Sequence, residues 1–298
     1  MIYHNPVLLK ESVDGLNIDH NGIYVDVTFG GGGHAKEILK RLGNNGKLYA
    51  FDQDEDALKN EIDDKRFTLI NSNFRYIKKF LRINGVTKVN GILADLGVSS
   101  HQFDVPTRGF STRFDAELDM RMDLKGDLSA FQVVNFYDES KLSNILHHYG
   151  ELRNAKLIAS AIVAARKKKP IKTSFQLKAA IGKFLPPNKE HKILAKIFQA
   201  IRIEVNQELE VLKEFLLQTT DLLTSRGKLS IISYHSLEDR LVKRFYKFGS
   251  FDSEPKKDFY GNFNTPFKKP EKLIVPTFEE IKINNRARSA KLRIVAKK

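Results

Sequence analysis

Apolar positions along the chain follow two rhythms. Short, β-rich and largely apolar runs occur at Ile23–Val27, Lys47–Phe51, Phe67–Ile70 and Gly91–Ala94, the pattern of strands covered on both faces of a parallel sheet. Between the first two, Ala35, Ile38, Leu39 and Leu42 recur at helical spacing, with Gly43 as a stop. Repetition of this strand-helix-strand unit from residue 22 to 95 predicts a doubly wound α/β sheet, whose ligands sit beyond the carboxyl ends of its strands.

The next convincing strand is Lys228–Ser233. The stretch before it, residues 97–226, far exceeds the ~30 residues of a strand-helix-strand unit, so it holds an insertion. Leu142, Ile145, Leu146 and Tyr149 form one amphipathic face ended by Gly150; Ala155, Ile158, Ala159 and Ile162 form another, stopped near Pro170. A third helix follows Thr173 and runs to Pro186. Residues 106–205 are therefore assigned to a small all-helical inserted domain, and residues 1–105 and 206–298 to the sheet domain. From Ile193 to Leu223 apolar residues keep helical spacing without Pro or Gly, leading back to the sheet. After Tyr234 a basic and aromatic loop is expected, followed by Leu273–Val275 and Lys291–Val295 pairing as an antiparallel hairpin.

Composition narrows the chemistry. The 298 residues carry 50 Lys and Arg against 36 Asp and Glu, a net charge of +14, which favours a polyanionic partner held in a salt-sensitive way. The absence of cysteine excludes a disulfide framework, a thiol nucleophile and Cys-based metal sites. No apolar run reaches the ~20 residues of a membrane span and none follows a basic start at the N-terminus, so a cytoplasmic location with no membrane partner is expected.

Val25-Asp26-Val27-Thr28-Phe29-Gly30-Gly31-Gly32-Gly33-His34 sets four glycines between a strand and a helix, where bare backbone can approach a ligand and free N–H groups can bind an anionic moiety. Gly30, Gly32 and Ala35 also satisfy the loose dinucleotide fingerprint. Asp52 ends the second strand 20 residues after Gly32, placed to accept hydrogen bonds from an adenosine ribose, which NAD and S-adenosylmethionine share. Asp26 before the glycines resembles the first motif of class I methyltransferases, with Thr28 where their first glycine usually lies. On that resemblance the sheet is a class I Rossmann-like methyltransferase sheet.

Asp95 ends the fourth strand in Ile92-Leu93-Ala94-Asp95-Leu96-Gly97-Val98-Ser99-Ser100-His101-Gln102. It can accept a hydrogen from an exocyclic amine as that nitrogen becomes pyramidal, hold an amino group of the cofactor, or cap a turn. An ordered set of segments then resembles the RsmH (MraW) family. They are His4–Glu11, Gly30–His34, Asp95–Gln102, Arg108-Gly109-Phe110-Ser111, Leu118-Asp119-Met120-Arg121-Met122-Asp123, Ser233–Arg240 and Asn285–Arg293. The resemblance implies an S-adenosylmethionine-dependent methyltransferase acting on N4 of a cytosine in the decoding centre of 16S rRNA, within the small ribosomal subunit. It also implies cofactor contacts from Gly32, Gly33, His34, Asp52, Phe74, Asp95 and Gln102; no metal site is assigned. Two departures stand out: Asp95-Leu96-Gly97-Val98 lacks the prolines and aromatic common in amine methyltransferases, and Thr112-Arg113-Phe114 replaces the commoner Ser-Phe spacing after Gly109.

Ser99, Ser100, Arg108, Ser233, Lys256 and Lys257 are assigned to the substrate side, and His235 joins Asp95 as a catalytic candidate, with a local hydrogen bond as its plainer role. From Phe245 to Lys272, Phe248, Phe251, Phe259, Tyr260 and Phe263 alternate with lysines, a mixture suited to single-stranded RNA. Arg286, Arg288, Lys291 and Arg293 form a second basic cluster. DNA is not expected as a partner; a homodimer is left open. Competing readings are a nicotinamide oxidoreductase and a non-catalytic RNA-binding assembly factor.

Overall fold

The computed structural model describes residues 6–251, 255, 259 and 263–298. The chain divides into two compact units, one of residues 1–97 and 209–298 and the other of residues 98–208. The first opens with helix α1 (Leu9–Asp14), then alternates β1 (Ile23–Asp26), α2 (Gly33–Arg41), β2 (Lys47–Asp52), α3 (Glu55–Leu58), β3 (Phe67–Asn71), α4 (Ile77–Ile83) and β4 (Val89–Asp95). Each strand begins and ends within two residues of its apolar run. Burial explains why: β1, β2 and β4 are sequestered on both faces, so uninterrupted apolar sequence is what they require.

The second unit holds α5 (Ser100–Asp104), α6 (Ala130–Phe136), α7 (Glu139–His148), α8 (Ala155–Lys168), α9 (Ser174–Ala180) and α10 (Glu190–Asn206). Leu142 and Leu146 of α7, Ile158 and Ile162 of α8, Leu177 of α9, and Ile197 and Ile201 of α10 fill one core. Its boundary lies earlier than 106 because Val98 and Phe103 already pack on that core. The helix after Thr173 is shorter than expected. Thr173 caps α9 in a reciprocal box with Gln176, but regular helix stops at Ala180, and a single 3-10 turn, Gly182–Phe184, precedes the prolines.

The apolar pattern from Ile193 to Leu223 is not one helix. Gln207 takes φ 51° between α10 and α11 (Glu208–Leu222), a left-handed residue that ends the first helix. The chain then enters β5 (Leu223–Ser233), α12 (Ser236–Phe248), α13 (Phe278–Ile283) and β6 (Lys291–Ala296). Regular pairing of β5 with β4 starts at Lys228 opposite Gly91, after an irregular lead-in. The sheet order is β3-β2-β1-β4-β5-β6, parallel except for β6, which runs antiparallel to β5. The expected terminal hairpin reduces to one bridge, Ile274 to Leu292, while β6 pairs along its length with β5.

The expected basic and aromatic loop begins as helix, with α12 covering Ser236–Phe248, and most of its described aromatics pack inward. Phe245 and Phe248 lie on α12 and are buried. Phe251 stacks on Phe245 at 5.5 Å and Phe263 meets Phe248 edge-on at 4.9 Å. Phe259, at 97% exposure, is the one described aromatic of that stretch offered fully to solvent. Tyr260 lies outside the described residues. Among the described residues no helix is long and apolar enough to cross a membrane.

Candidate functional site at the carboxyl edge of the sheet

Strands β2, β1 and β4 are neighbours and parallel, so their last residues stand side by side at one edge. Each ends in a carboxyl group: Asp52, Asp26 and Asp95. The glycine loop runs over this edge. Gly30 and Gly32 adopt φ 51° and 74°, values that an L side chain rarely takes. A Cβ on Gly33 would lie 2.1 Å from Pro6 Cγ, so Pro6 packs directly on the loop and only glycine fits.

The loop and the carboxyl groups are stitched together. Gly30 N–H donates to Asp52 Oδ2 at 2.8 Å and Asp54 N–H to Asp52 Oδ1 at 2.9 Å. Thr28 N–H donates to Asp26 Oδ1 at 3.1 Å, while Asp95 N–H donates to Thr28 Oγ1 at 2.6 Å. Thr28, in the place of a usual glycine, therefore ties β1 to β4. His34, buried at the start of α2, has Nε2 3.2 Å from the Val7 carbonyl. A carbonyl can only accept, so that nitrogen carries the proton and Nδ1 keeps a lone pair. Nδ1 lies 4.0 Å from Asp95 Oδ2.

Electrostatics at this edge are dominated by lost hydration. Burial pushes Asp26 up to about 6, against His34 and the Thr28 N–H, which favour the anion. Burial likewise raises Asp52 to about 6, opposed by the N–H groups of Asp54 and Gly30. Asp95 is raised to about 7, chiefly by burial, and the Tyr234 hydroxyl works the other way. Burial lowers His34, which keeps its ring neutral. Three crowded, poorly hydrated carboxyl groups are matched to a ligand that brings positive charge and hydroxyl donors. Among the described residues Asp26 Oδ2 is a buried acceptor with no hydrogen-bond partner.

Tyr234, between the two serines of Ser233-Tyr234-His235-Ser236, is a site residue that sequence reasoning misses. Its hydroxyl donates to Asp95 Oδ1 at 2.6 Å, which leaves Oδ2 as the less committed oxygen. The sequence places Ser233-Tyr234-His235-Ser236 after the fifth strand at the same edge as Asp95, but it does not single out Tyr234 or its bond to Asp95, which depends on β5 lying beside β4.

Other expected site residues fall in different surroundings. Phe74 follows β3, is half-buried and meets Phe215 edge-on at 5.2 Å. Ser99 and Gln102, in the inserted unit, form the capping box of α5; Gln102 is buried and its Oε1 accepts the Ser99 N–H. The side chain of Ser100, and Lys256 and Lys257 altogether, lie outside the described residues.

Two substrate-side assignments are corrected. Arg108 is 6% exposed and its Nη2 donates to the carbonyls of Arg121 and Met122 at 3.0 and 3.2 Å. It holds two sequence motifs of the inserted unit together rather than facing a polyanion. Ser233 is 2% exposed, directed at the Lys291 carbonyl of β6. The terminal basic cluster is also partly internal: Asp239 binds Arg293 at 2.6 Å and Lys291 at 3.2 Å, while Arg288 remains exposed.

His235 is the N-cap of α12. Its Nδ1 accepts the Glu238 N–H at 3.4 Å, and Glu238 Oε2 accepts the Tyr234 N–H at 2.9 Å. The Nε2 edge lies 3.1 Å from Glu238 Oε1, without hydrogen-bond alignment. This is the plainer of its two expected roles. His235→Ala is expected to cost about 1 kcal/mol of stability, read by chemical denaturation; a 10²-fold fall in kcat with stability unchanged would instead assign the ring to proton transfer.

Comparisons with known proteins agree over the whole chain. A family model described as the MraW methylase family matches residues 1–298. A protein of Flavobacterium johnsoniae named ribosomal RNA small subunit methyltransferase H is 67% identical over 100% of this chain and 98% of its own. One of Christiangramia forsetii with the same name is 64% identical, again over 100% and 98%. Among solved structures, an rRNA methylase from Streptococcus thermophilus aligns with a TM-score of 0.42 at 15% identity, over 100% of this chain and 98% of that one; a likeness of that size adds nothing to the topology above. With a family match from the first residue to the last and relatives identical at about two positions in three, the chain belongs to the MraW methylase family.

Proposed function

We propose that the chain is an S-adenosylmethionine-dependent methyltransferase that methylates N4 of a cytidine in the decoding centre of 16S rRNA. The observation that carries the reading is the row of three carboxyl groups, Asp26 fully buried and Asp52 and Asp95 partly buried, beneath a glycine loop at the carboxyl edge of β2, β1 and β4. Family membership and the small-subunit rRNA methyltransferase names of the relatives support the reaction class and the RNA.

The residues fit the cofactor. Asp52 would take the ribose hydroxyls, the Gly30–Gly33 backbone would line the adenosyl and methionine parts, and Phe74 would meet the adenine. Asp26 and Asp95 suit the ammonium end, since a cation among buried carboxyl groups replaces the hydration they have lost. Bound there, S-adenosylmethionine supplies an electrophilic methyl group. Asp95 Oδ2 is the acceptor offered to a hydrogen of the exocyclic amine, with Oδ1 held by Tyr234. Neutral His34 keeps a lone pair, not a competing cation, on the near side of Asp95. The amine proton becomes acidic only as the nitrogen gains positive charge, so positioning and a weak acceptor suffice.

The inserted unit is the part that recognises RNA. Its support is the exposed run Lys167, Lys168 and Lys169 at the end of α8, with Lys172 just beyond, which suits phosphate contacts.

The direct test combines labelled S-adenosylmethionine with unmodified small subunits and maps the product nucleoside by mass spectrometry. N4-methylcytidine at a single position is expected; a methyl group on another atom, or none, overturns the reading. Asp52→Ala is expected to weaken cofactor binding about 10-fold, roughly the 1.5 kcal/mol of a lost hydrogen bond, by calorimetry. Unchanged affinity would sink the ribose assignment.

A further inference from the structure

At the opposite end of the sheet, where β4 and β5 begin, a cleft of about 350 Å³ is lined by Lys78, Arg82, Lys88 and Lys297 together with Asp221 and neighbours. Four cations face one carboxylate there. Two of the lysines also serve the fold: Lys88 donates to the Asp221 carbonyl at 2.7 Å and Lys297 to the Leu223 carbonyl at 2.9 Å, satisfying carbonyls at the end of α11. Lys78 pairs with the Asp221 carboxylate. That leaves a positive excess that helix capping does not require. Arg82 and Lys88 are exposed, and no ion pair of Arg82 is found among the described residues. Lys297 is lowered by burial and then by the charge of Lys88, so cations here crowd one another.

We propose that this cleft is a second RNA contact, a seat for backbone phosphates of the substrate remote from the methylated base. It rests on the proposed RNA-methylating function. A phosphodiester supplies the missing negative charge, and Arg82 offers a planar fork suited to phosphate oxygens. The seven residues of β4 separate the cleft from Asp95 by about 20 Å at ~3.3 Å per residue, so a base in reaction cannot fill it. A folded RNA that spans both ends of the sheet can. Its contribution is affinity without sequence preference, sensitive to salt.

The test is direct binding of the full chain to unmodified small subunits across a salt series, for the native protein and for the double variant Arg82→Gln, Lys88→Gln. Arg82 is exposed and Lys88 also bonds the Asp221 carbonyl, so folding of the variant is checked by thermal unfolding, and Arg82→Gln alone, which removes no such bond, is measured beside it. Expected are a 5- to 20-fold weaker binding, a salt slope shallower by about 1.5, the value for two lost phosphate contacts, a raised KM and an unchanged kcat. A control variant, Lys65→Gln, Lys213→Gln, removes equal charge elsewhere on the same unit and should bind like the native protein.

Equal losses in both variants would reduce the effect to net charge and overturn the proposal. So would an unaltered salt slope, or a cleft that answers only to inorganic pyrophosphate, seen as thermal stabilisation of the native chain but not of Arg82→Gln, Lys88→Gln. Because binding is read without methyl transfer, absence of product in the native protein would defeat the functional reading while the slope still judged the cleft.

Discussion

Replacing Asp95 by Asn is expected to lower kcat for methyl transfer on the order of 10²-fold and to remove a limb of the pH–rate profile. In the native protein the carboxyl group, raised by burial to about 7, must lose its proton before it can accept one from the amine. The ratio kcat/KM, which reports the free enzyme, should therefore climb with pH through about 7 and level off above it. Tyr234→Phe makes the complementary case. Its hydroxyl favours the Asp95 anion, so its loss should move that limb to higher pH while kcat at the plateau falls less than in Asp95→Asn. A limb that persists unaltered in Asp95→Asn would falsify the assignment of Asp95 to the reacting amine.

The same burial predicts a stability effect of opposite sense. Folding raises Asp95 from its ordinary 3.8 to about 7, so between those values the folded chain holds a proton that the unfolded chain has lost. Stability from this group is present below pH ~4 and is lost as pH rises through about 7. Asp95→Asn should accordingly unfold at higher denaturant than the native protein at pH 8, with the difference gone at pH 4. An inactive but more stable variant would mark a carboxyl group kept for chemistry at the expense of the fold.

Gly109→Ala carries the largest expected effect on stability. Gly109 has φ 73°, and a Cβ there would sit 2.3 Å from the Glu117 carbonyl oxygen and 3.1 Å from the Asp119 nitrogen. Neither obstacle is a side chain that can swing away. Strained backbone and a main-chain collision together should cost the inserted unit about 2–4 kcal/mol, measured as a lowered urea midpoint. The Arg108 carbonyl, which accepts the Met120 N–H at 3.1 Å, would shift with it. A loss under ~0.5 kcal/mol would show that this loop relaxes freely.

Much was legible in the linear order of residues because its cause is local or periodic. Ile23–Val27, Lys47–Phe51 and Gly91–Ala94 are largely apolar because parallel strands in this sheet meet almost no water on either face. Asp26, Asp52 and Asp95 could be placed at one edge because strands in a doubly wound sheet run the same way. The run Gly30–Gly33 announced a turn that side chains would block.

What only tertiary structure decided concerns partners distant in sequence. Tyr234 reaches Asp95 across 139 positions, and Arg108 turned inward because carbonyls of Arg121 and Met122 lie under it. The aromatics of α12 read equally well as stacking faces or as core, since hydrophobic surface is indifferent to whether a base or a strand covers it; Phe267 and Phe251 settled Phe245 as core. Gln207 broke an unbroken helical pattern because a left-handed residue costs little beside the packing on either side. The cation cleft was invisible for the same reason: Lys78, Lys88 and Lys297 meet only because α4, β4, α11 and β6 come together at the same place. Periodicity records how each residue meets its own element, and it carries no record of which elements meet.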